Sequence, residues 1–280
     1  MAGEWRDQVA WITGAGSGIG RALALELGRQ GAIVAVSGRR QDRLEEVARE
    51  VEAAGGRALA VPCDVTEESD VERAVALVVT ELGRRDLAIA NAGFSVAGAV
   101  RDLSAEDWRR QLDTNVVGAA ITARHALPHL ERTKGRIALV GSVSALLPTP
   151  RMAAYTASKY ALRAIGQTLS IELAGSGVSC TLVHPGFVAS EIAQVDNHGR
   201  HDPSREDRRP KNLMWPADRA AREMLRAIWA RKREHVFTGH GKVGAALGQH
   251  MPGLAHFVMS RGPGRSRAAA FTKKAPSTDR

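Results

Sequence analysis

Short runs of apolar and β-branched residues alternate along the chain with longer segments in which apolar positions recur every three to four residues. The runs predict strands over Val9–Thr13, Ala32–Ser37, Ala58–Cys63, Leu87–Asn91, Arg136–Gly141, Val178–Val183 and His235–Thr238. The periodic segments predict helices over Ile19–Gln30, Asp42–Ala54, Glu67–Leu82, Ala105–Leu130, Ala153–Ala174 and Pro216–Arg231. Strand and helix in strict turn require crossover connections. The expectation is therefore an α/β fold, a doubly wound parallel sheet of about seven strands with helices on both faces.

Two stretches break the alternation. Residues 191–212 are too rich in Asp, Arg, His and Pro for a regular element and read as part of a lid over about 190–215. Between Lys242 and Ser260, the residues Val243, Ala246, Leu247, His250, Leu254, Phe257 and Val258 fall roughly on one face, interrupted by Pro252 and Gly253. Packing of that face on its own domain is the expectation, with a dimer interface or a membrane surface as the other readings.

Composition refines this picture at few points. The 280 residues accommodate one domain over 1–260 followed by a basic tail, 261–280. The formal charge of +9 suggests a nucleic-acid partner, but six Lys/Arg against Asp279 give the tail +5, leaving only +4 for the remainder. The tail, rich in Gly, Pro, Ser and Ala, reads as mobile and solubilising, and no nucleic-acid partner is expected. No run of about 18 apolar residues and no apolar stretch behind a basic start occurs, which points to a cytoplasmic protein without a membrane span. Cys63 and Cys180 each follow an apolar run and read as two buried thiols. His198-x-x-His201 with Asp196 and Asp202 lies in the polar stretch and reads as solvated loop, so no metal is expected.

Glycines at 14, 16, 18 and 20 sit between the first strand and the first helix. Glycines there let the backbone turn tightly and present bare N–H groups at a helix N-terminus, where partial positive charge meets a pyrophosphate. A dinucleotide is expected on Gly14, Ser17, Gly18, Ile19 and Gly20. The second strand ends Ser37-Gly38-Arg39-Arg40, with glycine where an NAD site would carry an acid. Arg39 and Arg40 are placed for a 2′-phosphate, so NADP is expected ahead of NAD. Tyr155 and Lys159 share one face of a predicted helix, where the ammonium is expected to lower the phenol pKa and make it a proton-transfer group near neutral pH. Ser142 follows an apolar strand and would emerge at the C-terminal edge of the sheet as a donor to a substrate oxygen.

Thr13-Gly14-x-x-x-Gly18-Ile19-Gly20, Asn91-Ala92-Gly93, Asn115, Ser142 and Tyr155-x-x-x-Lys159 together resemble the short-chain dehydrogenase/reductase family, over about residues 7 to 240. The resemblance implies a Rossmann-like fold and hydride transfer between a nicotinamide dinucleotide and a carbonyl or secondary alcohol, with Tyr155 as general acid/base. It selects Ser142 over Ser144 by the spacing to Tyr155, gives Asn115 a water that relays protons, and has Lys159 also hold the nicotinamide ribose. It further implies that Asp64 and Val65 contact the adenine and that Asn91, Ala92 and Gly93 pass beside the cofactor ribose. In His184-Pro185-Gly186-Phe187-Val188-x-Ser190 it implies that Pro185, Gly186, Val188 and Ser190 fix the carboxamide, while His184 itself reads as a packed strand-end histidine. Helices Ala105–Leu130 and Ala153–Ala174 would form the interfaces of a homodimer or homotetramer. The candidate pocket walls, Phe94, Val96, Leu146, Leu147, Met152, Phe187, Ile192, Met214 and Trp215, are mostly apolar and suit a hydrophobic small-molecule substrate. A ketoacyl-carrier-protein reductase and a non-catalytic NADP-binding or scaffold protein are the rival readings.

Overall fold

A computed structural model describes residues 4–261. Residues 262–280, nearly all of the expected basic tail, lie outside the described residues. The order is β1 (Val9–Thr13), α1 (Gly18–Arg29), β2 (Ile33–Gly38), α2 (Gln41–Ala53), β3 (Arg57–Pro62), α3 (Glu68–Leu82), β4 (Leu87–Ala90), α4 (Ala105–Leu112), α5 (Gly118–Thr133), β5 (Arg136–Val140), α6 (Ala153–Glu172), β6 (Ser179–His184), α7 (Ala217–Trp229), β7 (Glu234–Val236), α8 (Gly239–His250) and α9 (Pro252–Arg261). The strands form one parallel sheet ordered β3-β2-β1-β4-β5-β6-β7. Between β1 and β4 the winding reverses, which opens a crevice at the carboxyl ends of the strands.

The period-two alternation of each strand divides the core into two layers. Ala10, Ile12, Val34 and Val36 pack against Leu23 and Leu27 of α1, Val47 and Val51 of α2, and Met224 and Ile228 of α7. Val9, Trp11, Ala35 and Val61 face the other way, onto Val71 and Val78 of α3, Ala126 of α5 and Leu162 and Leu169 of α6. Cys63 and Cys180 lie unpaired in this second layer, where burial pushes both thiols up to about 12.

Two expectations gain detail, and one is corrected. The helix predicted over Ala105–Leu130 is helical throughout, with a π-helical turn at Asp113–Val117 where α4 passes into α5. Such turns recur at functional sites, and this one carries Asn115. The polar stretch is largely irregular, as expected, and lies across the crevice as a cover. It contains 3₁₀ turns at Glu191–Gln194 and Lys211–Leu213, and Asn197 exchanges two hydrogen bonds with the Ala97 backbone, at 3.0 Å each. The correction concerns α8 and α9, whose predicted apolar face points to solvent: Val243 is 70% exposed and Phe257 51%. Gly241, Ala245 and Gly248 turn inward instead, and a β-carbon on Gly248 would come within 1.9 Å of the Leu146 carbonyl oxygen. Small residues let α8 press on the segment after β5, which leaves its larger side chains outside. Among the described residues, no helix is long and apolar enough to cross a membrane.

Candidate active site

Gly14 adopts φ +65°, and a β-carbon there would lie 2.7 Å from Ala92 Cα. Gly20 has ordinary helical geometry, yet its β-carbon would lie 2.3 Å from the Gly14 carbonyl oxygen. The loop is therefore held against the end of β4 with no room for side chains. Asn91 Nδ2 fastens it by donating to the carbonyls of Thr13 (2.9 Å) and Gly14 (3.1 Å), while Thr13 Oγ1 accepts from the N–H groups of Asn91 and Ala92. From β2, the Ser37 carbonyl accepts from Ala15 N–H and its hydroxyl accepts from Trp11 Nε1. Bare backbone at the N-terminus of α1, beginning at Ser17, Gly18 and Ile19, fits the pyrophosphate of a dinucleotide.

Beyond the loop, Arg39 and Arg40 reach across to the polar cover. Arg39 Nη2 donates to the Gly199 carbonyl at 3.0 Å, and Arg40 pairs with Glu191 at 3.4 Å. Asp64 forms a local turn, accepting from the N–H and hydroxyl of Thr66, and Val65 is buried against Gly118. Ser190 abuts the glycine loop, since a β-carbon on Gly18 would come 3.0 Å from Ser190 Cβ. The Pro185 carbonyl accepts from Val143 N–H, which ties the end of β6 to the residue after Ser142. Gly186 is crowded by His240 and Thr238, and Val188 is buried and bridged to Trp215.

Ser142, Tyr155 and Lys159 come together at the carboxyl edge of β5. The hydroxyl of Ser142 faces the Tyr155 phenol, where it favours phenolate, and accepts from Ser144 N–H at 3.1 Å. Lys159 lies behind, 6% exposed, with Nζ 5.6 Å from the Tyr155 ring centroid. Its ammonium donates to the Val140 carbonyl at 2.9 Å, and burial pushes its pKa down to about 8. The phenol pKa is raised, not lowered as the sequence led one to expect. Burial is the largest cause, opposed by the Ser142 hydroxyl and by the charge of Arg209. Desolvation disfavours phenolate, and Lys159 is directed at a carbonyl rather than at the phenol oxygen. Asn115 Nδ2 donates to the Phe94 carbonyl and to Ser158 Oγ, and Oδ1 accepts from Phe94 N–H. Both amide hydrogens are committed, so the side chain could hold a water only through the remaining lone pair of Oδ1. Of the expected pocket walls, Val96 and Trp215 belong to the core: Val96 is fully buried beside Ala154, and Trp215 packs on Phe237.

Comparison with known proteins identifies the family. The short chain dehydrogenase family matches residues 8–201. The chain belongs to that family. An uncharacterized oxidoreductase of Staphylococcus epidermidis is 35% identical over 69% of this chain and 84% of that protein. The 11-beta-hydroxysteroid dehydrogenase 1A of Arabidopsis thaliana is 41% identical over 67% of this chain, and the match spans 54% of that longer protein. An alcohol dehydrogenase from the archaeon Thermococcus sibiricus, solved in complex with 5-hydroxy-NADP, superposes with a TM-score of 0.72 at 28% identity, covering 83% of this chain and 96% of that one.

Beside the candidate site, this short-chain dehydrogenase also carries residues whose contacts the sequence did not foresee. Arg209, from the polar cover, donates through Nη1 to the Val188 carbonyl (2.9 Å) and Ser190 Oγ (3.3 Å), and through Nη2 to the Ser190 carbonyl (2.8 Å). Asp207 neutralises it at 2.7 Å. His240 accepts from Phe187 N–H at 2.9 Å and stacks on the Phe187 ring. His184, packed at the strand end as expected, contacts the Ser142 main chain through Nδ1 and Glu234 through Nε2 at 2.8 Å, and Arg163 Nε pairs with the same carboxylate at 2.6 Å. Apart from His184, no motif announces these residues, since most of their contacts are with partners distant in sequence.

The His184 and Arg163 contacts hold the Glu234 carboxyl down from 4.5 to about 2, with the hydrogen bond from His184 the largest cause. A depressed carboxyl stabilises the fold fully above its unfolded pKa and ceases to do so as pH falls through about 2. Glu234→Gln should therefore cost on the order of 2–3 kcal/mol at pH 7, and the gap to wild type should close as pH drops below 4.5. Urea melts of both proteins across that range provide the check; a pH-independent gap contradicts the linkage.

Proposed function

We propose that this dehydrogenase transfers hydride between NADP and a hydrophobic carbonyl compound or secondary alcohol, with Tyr155 as the proton donor in reduction and acceptor in oxidation. The observation that carries the reading is the Ser142 hydroxyl facing the Tyr155 phenol, with buried Lys159 behind, in the same crevice as the bare glycine loop. When bound, a reduced nicotinamide supplies the hydride. The residues of the chain do the rest. Ser142 donates to the substrate oxygen, where charge grows as the carbonyl is reduced, and so favours the transition state over the ground state. Tyr155, with its pKa above the ordinary value, is protonated at neutral pH and ready to donate. Lys159, at about 8, keeps most of its charge at pH 7 and supports the negative charge left on the phenol. Asn115 braces Phe94 and Ser158 against this group. Val188 and Ser190, the expected carboxamide partners, are tied to the cover by Arg209, so cofactor seating and the position of the cover depend on one another.

NADP is preferred over NAD because β2 ends in Gly38 with no acid, and Arg39 and Arg40 stand beyond it. The solved relative with a bound NADP derivative supports the same choice. Arg39→Ala should weaken NADPH binding about ten- to a hundredfold, the worth of one or two charge-assisted hydrogen bonds, and leave NADH unchanged. Fluorescence titrations with both dinucleotides measure this, and an unaltered NADPH affinity rules out Arg39 as the phosphate reader. The hydroxysteroid dehydrogenase relative favours bulky alicyclic alcohols and ketones within the substrate class. Exposed Val117, Tyr160 and Ile171, on and beside the expected interface helices, favour a homodimer or homotetramer. A carbonyl panel with NADPH and NADH in parallel tests the activity, and absence of turnover with every hydrophobic carbonyl refutes it.

A further inference from the structure

The outward side of α8 and α9 combines exposed apolar residues with an unusual charge pattern. Leu254, Phe257, Val258 and Arg261 follow the i, i+3, i+4, i+7 spacing of one helix face, and all are exposed while Ala255 is turned inward. Val243 on α8 and Met251 at the junction extend the apolar surface. The Arg261 guanidinium lies 3.8 Å over the Phe257 ring, so the most exposed aromatic of the face is already associated with a cation. Between Glu234 and Asp279 the sequence contains no Asp or Glu, whereas Lys242, Arg261, Arg265, Arg267, Lys273 and Lys274 all fall there.

We infer that this face docks on an anionic lipid surface, with Leu254, Phe257 and Val258 entering the acyl boundary and the acid-free basic stretch pairing with headgroups. A single weak apolar anchor gives only marginal membrane binding, and stable attachment takes two signals, one apolar and one basic. Both are present here, contiguous in sequence. A nucleic acid would pair with the cations but leaves the apolar face in water, and a second copy of the chain would bring the same basic charge against itself. The inner side of α8 rests on Leu146 and Leu147, which follow Ser142, so docking would set the crevice beside the bilayer. The inference stands independently of which substrate the crevice takes.

The experiment is flotation of the full-length protein with vesicles of phosphatidylcholine alone and of phosphatidylcholine with phosphatidylserine. Binding is expected only to the second, falling as salt is raised. The double substitution Leu254→Ser, Phe257→Ser should weaken it at least about tenfold. Lys273→Gln and Lys274→Gln should each weaken it about fivefold. Thermal melts and NADPH titration establish that the variants are folded. Should the double variant prove unstable, Phe257→Trp substitutes for it: the indole emission should shift to the blue on adding phosphatidylserine vesicles, relative to wild type under the same conditions. Absence of binding to phosphatidylserine vesicles overturns the inference, as does binding that survives loss of Leu254 and Phe257, which would leave only the basic charge at work. An unshifted emission from the Phe257→Trp variant, or an oligomer that the serine substitutions dissociate while vesicle binding is nil, overturns it in favour of a face between copies.

Discussion

Tyr155→Phe is expected to lower kcat for carbonyl reduction by about 10²- to 10⁴-fold, the usual contribution of a positioned acid or base. The phenyl ring fills the same space beside Lys159, so the fold and the dinucleotide affinity should stay close to wild type. Only the proton is lost. In wild type, the raised phenol pKa keeps Tyr155 protonated beyond the ordinary range, whereas Lys159 gives up its charge near 8. The rate of reduction should accordingly decline as pH rises above about 8, well before the phenol itself ionises. Steady-state kinetics with NADPH across pH, paired with cofactor titrations of the variant, separate the two roles. A Tyr155→Phe enzyme with near-normal kcat would remove the proposed mechanism, whatever its affinity for cofactor.

Gly20→Ala is expected to destabilise the fold and weaken dinucleotide binding together. Alanine favours a helix over glycine by roughly 1 kcal/mol, so in the absence of crowding the change would be stabilising. Here the new methyl would meet the Gly14 carbonyl oxygen at 2.3 Å and Asn91 Nδ2 at 2.6 Å. Either the loop moves off β4, breaking the Asn91 clamp, or the strain remains. Overpacking of this kind costs about 1–3 kcal/mol, which for a protein of this size lowers Tm by roughly 2–12 °C. Relief by loop movement would be reversed on binding, weakening affinity about ten- to a hundredfold. Gly55→Ala is the contrast, since Gly55 has φ +94° but nothing within 4 Å, so it should cost stability alone. Scanning calorimetry and NADPH titration read both. An alanine at position 20 that left Tm and affinity unchanged would mean that the glycine loop does not press so closely on β4.

Much of the fold was legible from residues 9 to 236 because the two hydrophobic periods differ so clearly. Each predicted strand overlaps an observed one, and no end is displaced by more than two residues. The helix over 105–130 was read correctly, but its π-helical turn was not, because five residues between two long α-helical stretches leave little trace in the apolar period. On α8, the apolar face was correctly grouped and wrongly buried. Periodicity reports which side chains lie on one side of a helix, but whether that side or the glycine side is pressed inward depends on what it meets, here the Leu146 and Leu147 backbone.

At the candidate site, the helical spacing of Tyr155 and Lys159 and the strand-end position of Ser142 could be read directly, because local geometry sets them. The roles of Arg209, His184, Glu234 and Arg163 could not, since their partners lie 19 to 71 positions away. The sequence by itself determined the strand and helix alternation, the close-packed glycine turn and the residue types gathered at the sheet edge. Tertiary structure decided which lone pairs and hydrogens those residues have left to use, and in which direction their proton affinities move. Those properties follow from burial and from neighbours brought in by folding: a carbonyl takes the Lys159 ammonium, and desolvation outweighs the charges near Tyr155.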